Sequence, residues 1–320
     1  MNLLGHDAAW HEWRDAMGGA RMHHGWILAG RRGLGKMHFA MAAARELVAE
    51  PGIPQPEGDH PDIIVLSHLP KDEKEEKKRE KGEAYETKRN IAVGQIRAVQ
   101  QRLTTRPTLG SRRTIIIDPA DDLEKSAANA LLKSLEEPPQ GTFFLLVTHR
   151  PARLLPTIRS RCRILRFPSL EDDKIARFLA EMAPQADAAA RAAAVAAAAG
   201  SPGVALEFIE HDLGKLDTLM RQIADRGDPD FALRGQLSAA IGARPSRERI
   251  QAALDLARAV MAGRMEDTPR HAIMALTDAH TDLVRLAAQV PTYNFDPGLL
   301  AMEIGTLLAN AAGTRDPAHG

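Results

Sequence analysis

Residues 30–37, Gly-Arg-Arg-Gly-Leu-Gly-Lys-Met, hold most of a phosphate cradle. In the G-x-x-x-x-G-K-[ST] pattern the glycines let backbone amides face phosphate oxygens, the lysine meets the outer phosphates, and the final hydroxyl binds magnesium. Gly30, Gly33, Gly35 and Lys36 supply the cradle here, but Met37 stands at the hydroxyl position. A soft, apolar thioether cannot replace an oxygen on a hard cation. Hydrolysis also needs an acidic residue at the end of a neighbouring strand and a group that orients the attacking water. Asp118 ends an apolar run, but the adjoining position is Pro119, and Asp121 and Asp122 lie further on, where they would point elsewhere. The loop therefore reads as a relic that keeps the shape of a nucleotide site and lacks its hydrolytic groups. The competing reading is a glycine turn that merely joins a strand to a helix.

A second set of candidates lies at 159–166, where Arg159, Arg161, Arg163 and Arg166 lead into an apolar strand. Taken alone, such a run reads more readily as plain solvated surface than as a site for an anion. Cys162 is the single cysteine of the chain and has no evident His/Asn pairing, so a small buried thiol is expected. One cysteine also rules out an internal disulfide framework and any multi-cysteine zinc site.

The elements around these residues alternate. "WILAG" (26–30), "DIIVL" (62–66), "RTIIID" (113–118), "TFFLLVT" (142–148) and "RILRF" (163–167) read as strands. Helical patterns fall at 36–48, at 93–105, where Val93, Ile96, Val99, Gln100 and Leu103 share a face, and at 126–137, stopped by Pro138-Pro139. Strands alternating with helices imply a parallel sheet covered on both faces. Beyond residue 168 the strand signals vanish. Asp187 followed by a near-continuous alanine run to Gly200 predicts a capped helix, and helical patterns recur from 213 to the end with Gly and Pro between them. The expected fold is an α/β nucleotide-binding domain with a parallel sheet, followed by helices alone.

Lys+Arg and Asp+Glu both total 42, so the net charge is zero, which argues against a stand-alone nucleic-acid binder. No run approaches the roughly 18 apolar residues that span a bilayer, and the first residues lack the basic start and apolar stretch of a signal peptide. A cytoplasmic setting is expected. The stretch 71–89 carries eight basic and seven acidic side chains and no apolar face. It reads as a solvated insert, mobile or weakly helical.

"ANALLKSLEEPP" (128–139) and "LLPTIRSRCRILRF" (154–167), supported by "GHDAA" (5–9), "HHGWILAGRRGLGK" (23–36), "HPDIIVL" (60–66) and "GSPGVAL" (200–206), carry a resemblance. The chain is similar to the clamp-loader branch of the AAA+ proteins, and within it to the bacterial delta-prime subunits of DNA polymerase III. The resemblance is dense from 5 to 167, thinner to 210 and architectural beyond. It implies an AAA+-like P-loop-fold domain at 1–167, a small helical lid at 168–210 and a helical collar at 211–320. It implies a hetero-pentameric ring with gamma/tau motor and delta subunits, which loads the sliding clamp onto primer-template DNA. Delta-prime subunits of this family act as a stator that does not hydrolyse ATP. By that match Arg161 is an arginine finger given in trans to a neighbour's ATP site, Ser160 and Cys162 frame it, and Thr148 closes the fourth strand. The family's four zinc cysteines are missing here, so the zinc module reads as lost and no cofactor is expected; whether the relic loop keeps a nucleotide stays open. Gly203 stands where motor subunits carry a phosphate-sensing arginine. The alternative, an ATP-hydrolysing gamma/tau-type motor, would need Ser or Thr at 37, Glu at 119 and Arg near 203.

Overall fold

The computed structural model describes residues 5–19, 22–265, 268–290 and 295–312. The chain parts into two compact units, 1–169 and 170–320. The first four residues and the last eight, where the expected first domain begins and the expected collar ends, lie outside the described residues.

Along the first unit come α1 (Asp7–Gly18), β1 (Gly25–Ala29), α2 (Lys36–Val48), β2 (Ile63–Leu66), α3 (Glu73–Glu80), α4 (Val93–Arg102), β3 (Arg113–Ile117), α5 (Lys125–Glu136), β4 (Thr142–Thr148), α6 (Pro156–Arg159) and β5 (Arg163–Arg166). The strands form a parallel sheet in the order β2-β3-β4-β1-β5. Every residue of β1 and β3 is buried, as a sheet covered on both faces requires. Successive side chains leave a strand on opposite faces. Ile27, Ile115, Ile117, Phe144 and Leu146 therefore meet Ile96 and Val99 of α4 and Leu131 and Leu135 of α5. Trp26, Leu28, Ile116, Leu145 and Val147 meet Trp13 of α1 and Phe39, Ala43 and Leu47 of α2. The alanines of α2 let that helix lie close to the sheet. This is the α/β arrangement, a parallel sheet covered on both faces, expected from the alternation of strands and helices.

Helix α1 has no counterpart in the sequence reading. Its Ala9 and Trp13, one turn apart, are buried, and the Trp13 ring packs edge-on 5.3 Å from Trp26 and 6.3 Å from Phe39. Ala9, Trp10, Trp13, Ala16 and Met17 nevertheless recur at helical spacing and pack on the same core as α2, so the period is present in the sequence.

The charged stretch at 71–89, expected as a solvated insert that is mobile or weakly helical, is mostly exposed and helical in part. It contains the helix α3, capped by the Asp72 side chain on the Glu75 amide at 3.0 Å. A β-bridge between Pro70 and Thr87 closes its base. Glu75 is buried; its Oε1 accepts from Lys78 at 2.7 Å and its Oε2 from the Glu86 amide at 2.7 Å. Polar bonds, not an apolar face, order this segment.

The second unit holds α7 (Asp172–Met182), α8 (Ala188–Ala198), α9 (Pro202–Glu210), α10 (Gly214–Arg226), α11 (Ala232–Ile241), α12 (Arg247–Gly263), α13 (Ile273–Gln289) and α14 (Pro297–Ala312). Asp187 caps α8 by accepting from the Ala190 amide at 2.6 Å, as expected. The helix ends on Ala199, which is left-handed, one residue before the anticipated Gly200. Helices α7, α8 and α9 pack on one another, and α14 packs on α10, α11, α12 and α13. The pairing of α11 with α14 is fixed by Arg234, which is buried and bonded to Asp228 and Thr306.

Candidate functional site

The glycine loop leaves the C-terminal end of β1 and enters α2. Gly30 has no room for a side chain, because a Cβ there would stand 2.5 Å from the Phe167 carbonyl oxygen. Gly33 and Gly35 turn the chain with φ of 80° and 76°. Lys36, in the first turn of α2, is only 3% exposed. Its Nζ donates to the carbonyls of Gly30 at 2.7 Å and Arg31 at 2.6 Å, so the cation closes the loop on itself. Burial pulls Lys36 down to about 8, opposed by the carboxylates of Asp118 and Asp121. Met37 turns its thioether onto the core shared with Trp13 and Phe39, so the side chain that replaces the magnesium hydroxyl serves packing.

Asp118 follows β3, and burial raises its carboxyl while Lys36 pulls it back. Asp121, expected to point elsewhere, lies near enough for its charge to act on Lys36 and Asp118, but its oxygens have a definite partner set. Its Oδ1 accepts from Thr148 Oγ1 at 2.5 Å and from the Arg150 amide at 3.2 Å, and its Oδ2 from the His149 amide at 2.6 Å. Thr148, fully buried at the end of β4, therefore gives its hydroxyl proton to Asp121. His149 next to it is pushed down to about 4, first by burial and then by Lys36. Sequence reasoning missed His149 and the clamp made by Asp121, because neither belongs to a recognisable spacing. The donor set around the loop suits an anion, with glycine amides and Lys36. A magnesium ion would find the Asp118 carboxylate but no oxygen on the side chain at 37. Among the described residues no group of His, Cys, Asp or Glu is placed to hold a metal ion, and no helix is long and apolar enough to cross a membrane.

Ser160-Arg161-Cys162 forms the turn between α6 and β5. Arg161 Nη1 donates to the Thr157 carbonyl at 2.9 Å and lies 3.4 Å from Ser160 Oγ. Its Nη2 stands 2.7 Å from Glu136 Oε1, with both side chains reaching solvent, Arg161 35% and Glu136 48% exposed. Cys162 does point inward. A Cβ on Gly25 would stand 2.9 Å from its Sγ and 3.2 Å from the Arg161 carbonyl oxygen, and burial pushes the thiol up to about 12. Arg163 is also held locally, but more loosely, over the Trp26 ring at 5.1 Å and 3.8 Å from Glu12. Arg161 and Arg163 are thus not equivalent.

The tertiary structure keeps the two candidate sites apart. The Arg161 turn abuts Gly25 at the start of β1, and the glycine loop begins at Gly30 beyond its end. Five residues of strand separate these points by about 16 Å, and Arg161 is tethered to Thr157 and Glu136. Gly203, which the resemblance sets at the place of a phosphate-sensing arginine, lies in the first turn of α9.

A family model described as DNA polymerase III, delta subunit, matches residues 5–171. The chain is 32% identical over 202 residues to the DNA polymerase III subunit delta' of Pseudomonas aeruginosa, covering 59% of this chain and 57% of that protein. It is 32% identical over 209 residues to the DNA polymerase III subunit delta' of Escherichia coli, covering 60% and 56%. It is 29% identical over 164 residues to the DNA polymerase III subunit gamma of Buchnera aphidicola, covering 50% and 42%. The chain spans little more than half the length of the curated delta' relatives it matches. With more than half of its residues under the family model, the glycine loop and the Ser160-Arg161-Cys162 turn among them, this chain belongs to the DNA polymerase III delta-subunit family.

Proposed function

We propose that this chain is a delta-prime-type stator of a DNA polymerase III clamp loader, which does not hydrolyse ATP and lends Arg161 to the ATP site of a neighbouring motor subunit. The observation that carries the reading is the separation of the two sites. Arg161 lies at the opposite end of β1 from the chain's own glycine loop, at the surface, where its guanidinium serves another chain's phosphates better than its own. The self-closed Lys36, the inward Met37 and Pro119 in place of a water-orienting carboxylate support the absence of turnover. In this reading the partners are gamma/tau motors and delta in a hetero-pentameric ring, with the sliding clamp and primer-template DNA reached through the complex. Residues 168–210 would serve as the lid and 211–320 as the collar. No cofactor is assigned.

The gamma relative favours a second reading, an ATP-hydrolysing motor. Assay of the pure chain separates the two, since a stator shows no magnesium-dependent ATP hydrolysis above background and a motor does. The positive test is Arg161→Ala in the reconstituted complex. An arginine finger contributes on the order of 10³–10⁵ in rate at a single site. A ring with several sites should lose less overall, while still assembling. Wild-type turnover and clamp loading from an intact Arg161→Ala ring would remove the trans role.

A further inference from the structure

We propose that Glu136 is the positioning residue for Arg161, an inference that rests on the trans reading of that arginine. Glu136 is the last residue of α5 and Arg161 lies 25 positions further on, yet Arg161 Nη2 and Glu136 Oε1 are 2.7 Å apart. Nη1 is bonded to the Thr157 carbonyl at 2.9 Å. Two acceptors on two different nitrogens fix the plane of the guanidinium fork as well as its place. Glu136 itself stands on a rigid element. The preceding carbonyl, Leu135, accepts from His24 Nε2 at 2.8 Å, and the following Pro138 ends the helix. From below, Cys162 Sγ and the Arg161 carbonyl pack under Gly25. The arginine that would be offered to a neighbour is thus held by its side chain from α5 and by its backbone from β1.

Nη2 carries two hydrogens, so bonding to Glu136 leaves one for an incoming phosphate oxygen. The pair is exposed and screened, so it contributes little to fold stability. Its effect is to spare the arginine the ordering of a long, rotamer-rich side chain when the transition state forms.

The test is a double-mutant cycle in the reconstituted clamp loader, with Glu136→Ala, Glu136→Gln, Arg161→Ala and the Glu136→Ala/Arg161→Ala pair. Ring assembly is checked by size-exclusion chromatography, and ATP turnover is measured with clamp and primed DNA. Glu136→Ala should lower kcat by about two- to five-fold, the rate equivalent of an exposed ion pair. KM for ATP should not change, because the interaction matters in the transition state. Glu136→Gln should recover most of the loss, since its amide oxygen accepts the same hydrogen bond. In the Arg161→Ala background the Glu136→Ala change should do nothing further. An unaltered kcat for Glu136→Ala beside a slow Arg161→Ala would overturn the proposal and leave the trans reading standing. So would an equal loss in the Arg161→Ala background, or a faster Glu136→Ala enzyme. Wild-type rates from Arg161→Ala itself would overturn the trans reading, and this proposal with it.

Discussion

Lys36 and Arg161 sit at opposite ends of β1, and the fold treats the two cations in opposite ways. Lys36 is drawn inside, bonded to two carbonyls of its own loop and lowered by burial. Arg161 is left at the surface, with a single exposed carboxylate and a carbonyl as its anchors. A lysine is a point charge on a flexible stem and can be turned onto whatever oxygens are near. A guanidinium keeps a planar fork and a permanent charge, so it can be anchored on one edge and still present donors on another. Within one domain, the loop lysine is spent on carbonyls of its own loop while the rim arginine is anchored at a solvent-exposed turn.

Exchanging the cations is the strongest way to break this comparison. Arg161→Lys should lose nearly as much turnover by the reconstituted complex as Arg161→Ala, because an ammonium cannot reproduce the fork. Arg163→Ala should be much milder, because the trans role is proposed for Arg161 alone and Arg163 lies in β5, over the Trp26 ring. Lys36→Met should leave turnover by the complex near wild type. A large loss from Lys36→Met would restore the glycine loop as a working site.

Smaller, but measurable by denaturant unfolding, is the cost of filling the two close approaches. Gly30→Ala forces a Cβ against the Phe167 backbone and should destabilise by about 1–3 kcal/mol. Gly25→Ala should cost a similar amount, and it should also slow the complex, since it pushes on the turn that carries Arg161. Loss of turnover from Gly30→Ala without loss of stability would contradict the division of roles.

The two ends should also respond to opposite extremes of pH. His149, beside the loop, is held at about 4, below the ordinary 6.5. Between those values the unfolded chain takes up a proton that the folded chain refuses, so stability falls as pH drops from 6.5 towards 4. Cys162, beneath the arginine turn, is held at about 12, above the ordinary 9.0. Above pH 9 the unfolded chain loses a proton that the folded chain keeps, so stability falls as pH rises. His149→Leu should flatten the acid limb and Cys162→Ala the alkaline one in pH-dependent thermal melts. The Cys162 thiol should also resist alkylation at pH 8 until the chain unfolds.

The smallest effect is expected from the charged segment, which touches neither end of the comparison. Replacing 71–89 with a short Gly/Ser linker should remove the far-UV circular dichroism signal of α3 and shift the melting temperature little. A large drop would mean that the segment supports the sheet.

The sequence by itself determined the strands, the glycine loop and the loss of its hydroxyl and water-orienting groups. Apolar runs bounded by turn residues and fixed short-range spacings are local properties, and they survive without coordinates. It also placed Arg161 in a run of four arginines, without separating them on residue type alone. What only the tertiary structure decided are the long-range partners. The sheet order β2-β3-β4-β1-β5 puts Arg161 and the loop at opposite ends of one strand. The packing of α5 against the sheet brings Glu136 to Arg161. The turn after β3 delivers Asp121 to Thr148 and the His149 amide. A hydrogen bond between residues tens of positions apart leaves no periodic trace in a single sequence, because its geometry is set by how the intervening elements pack and not by the spacing of the two residues along the chain.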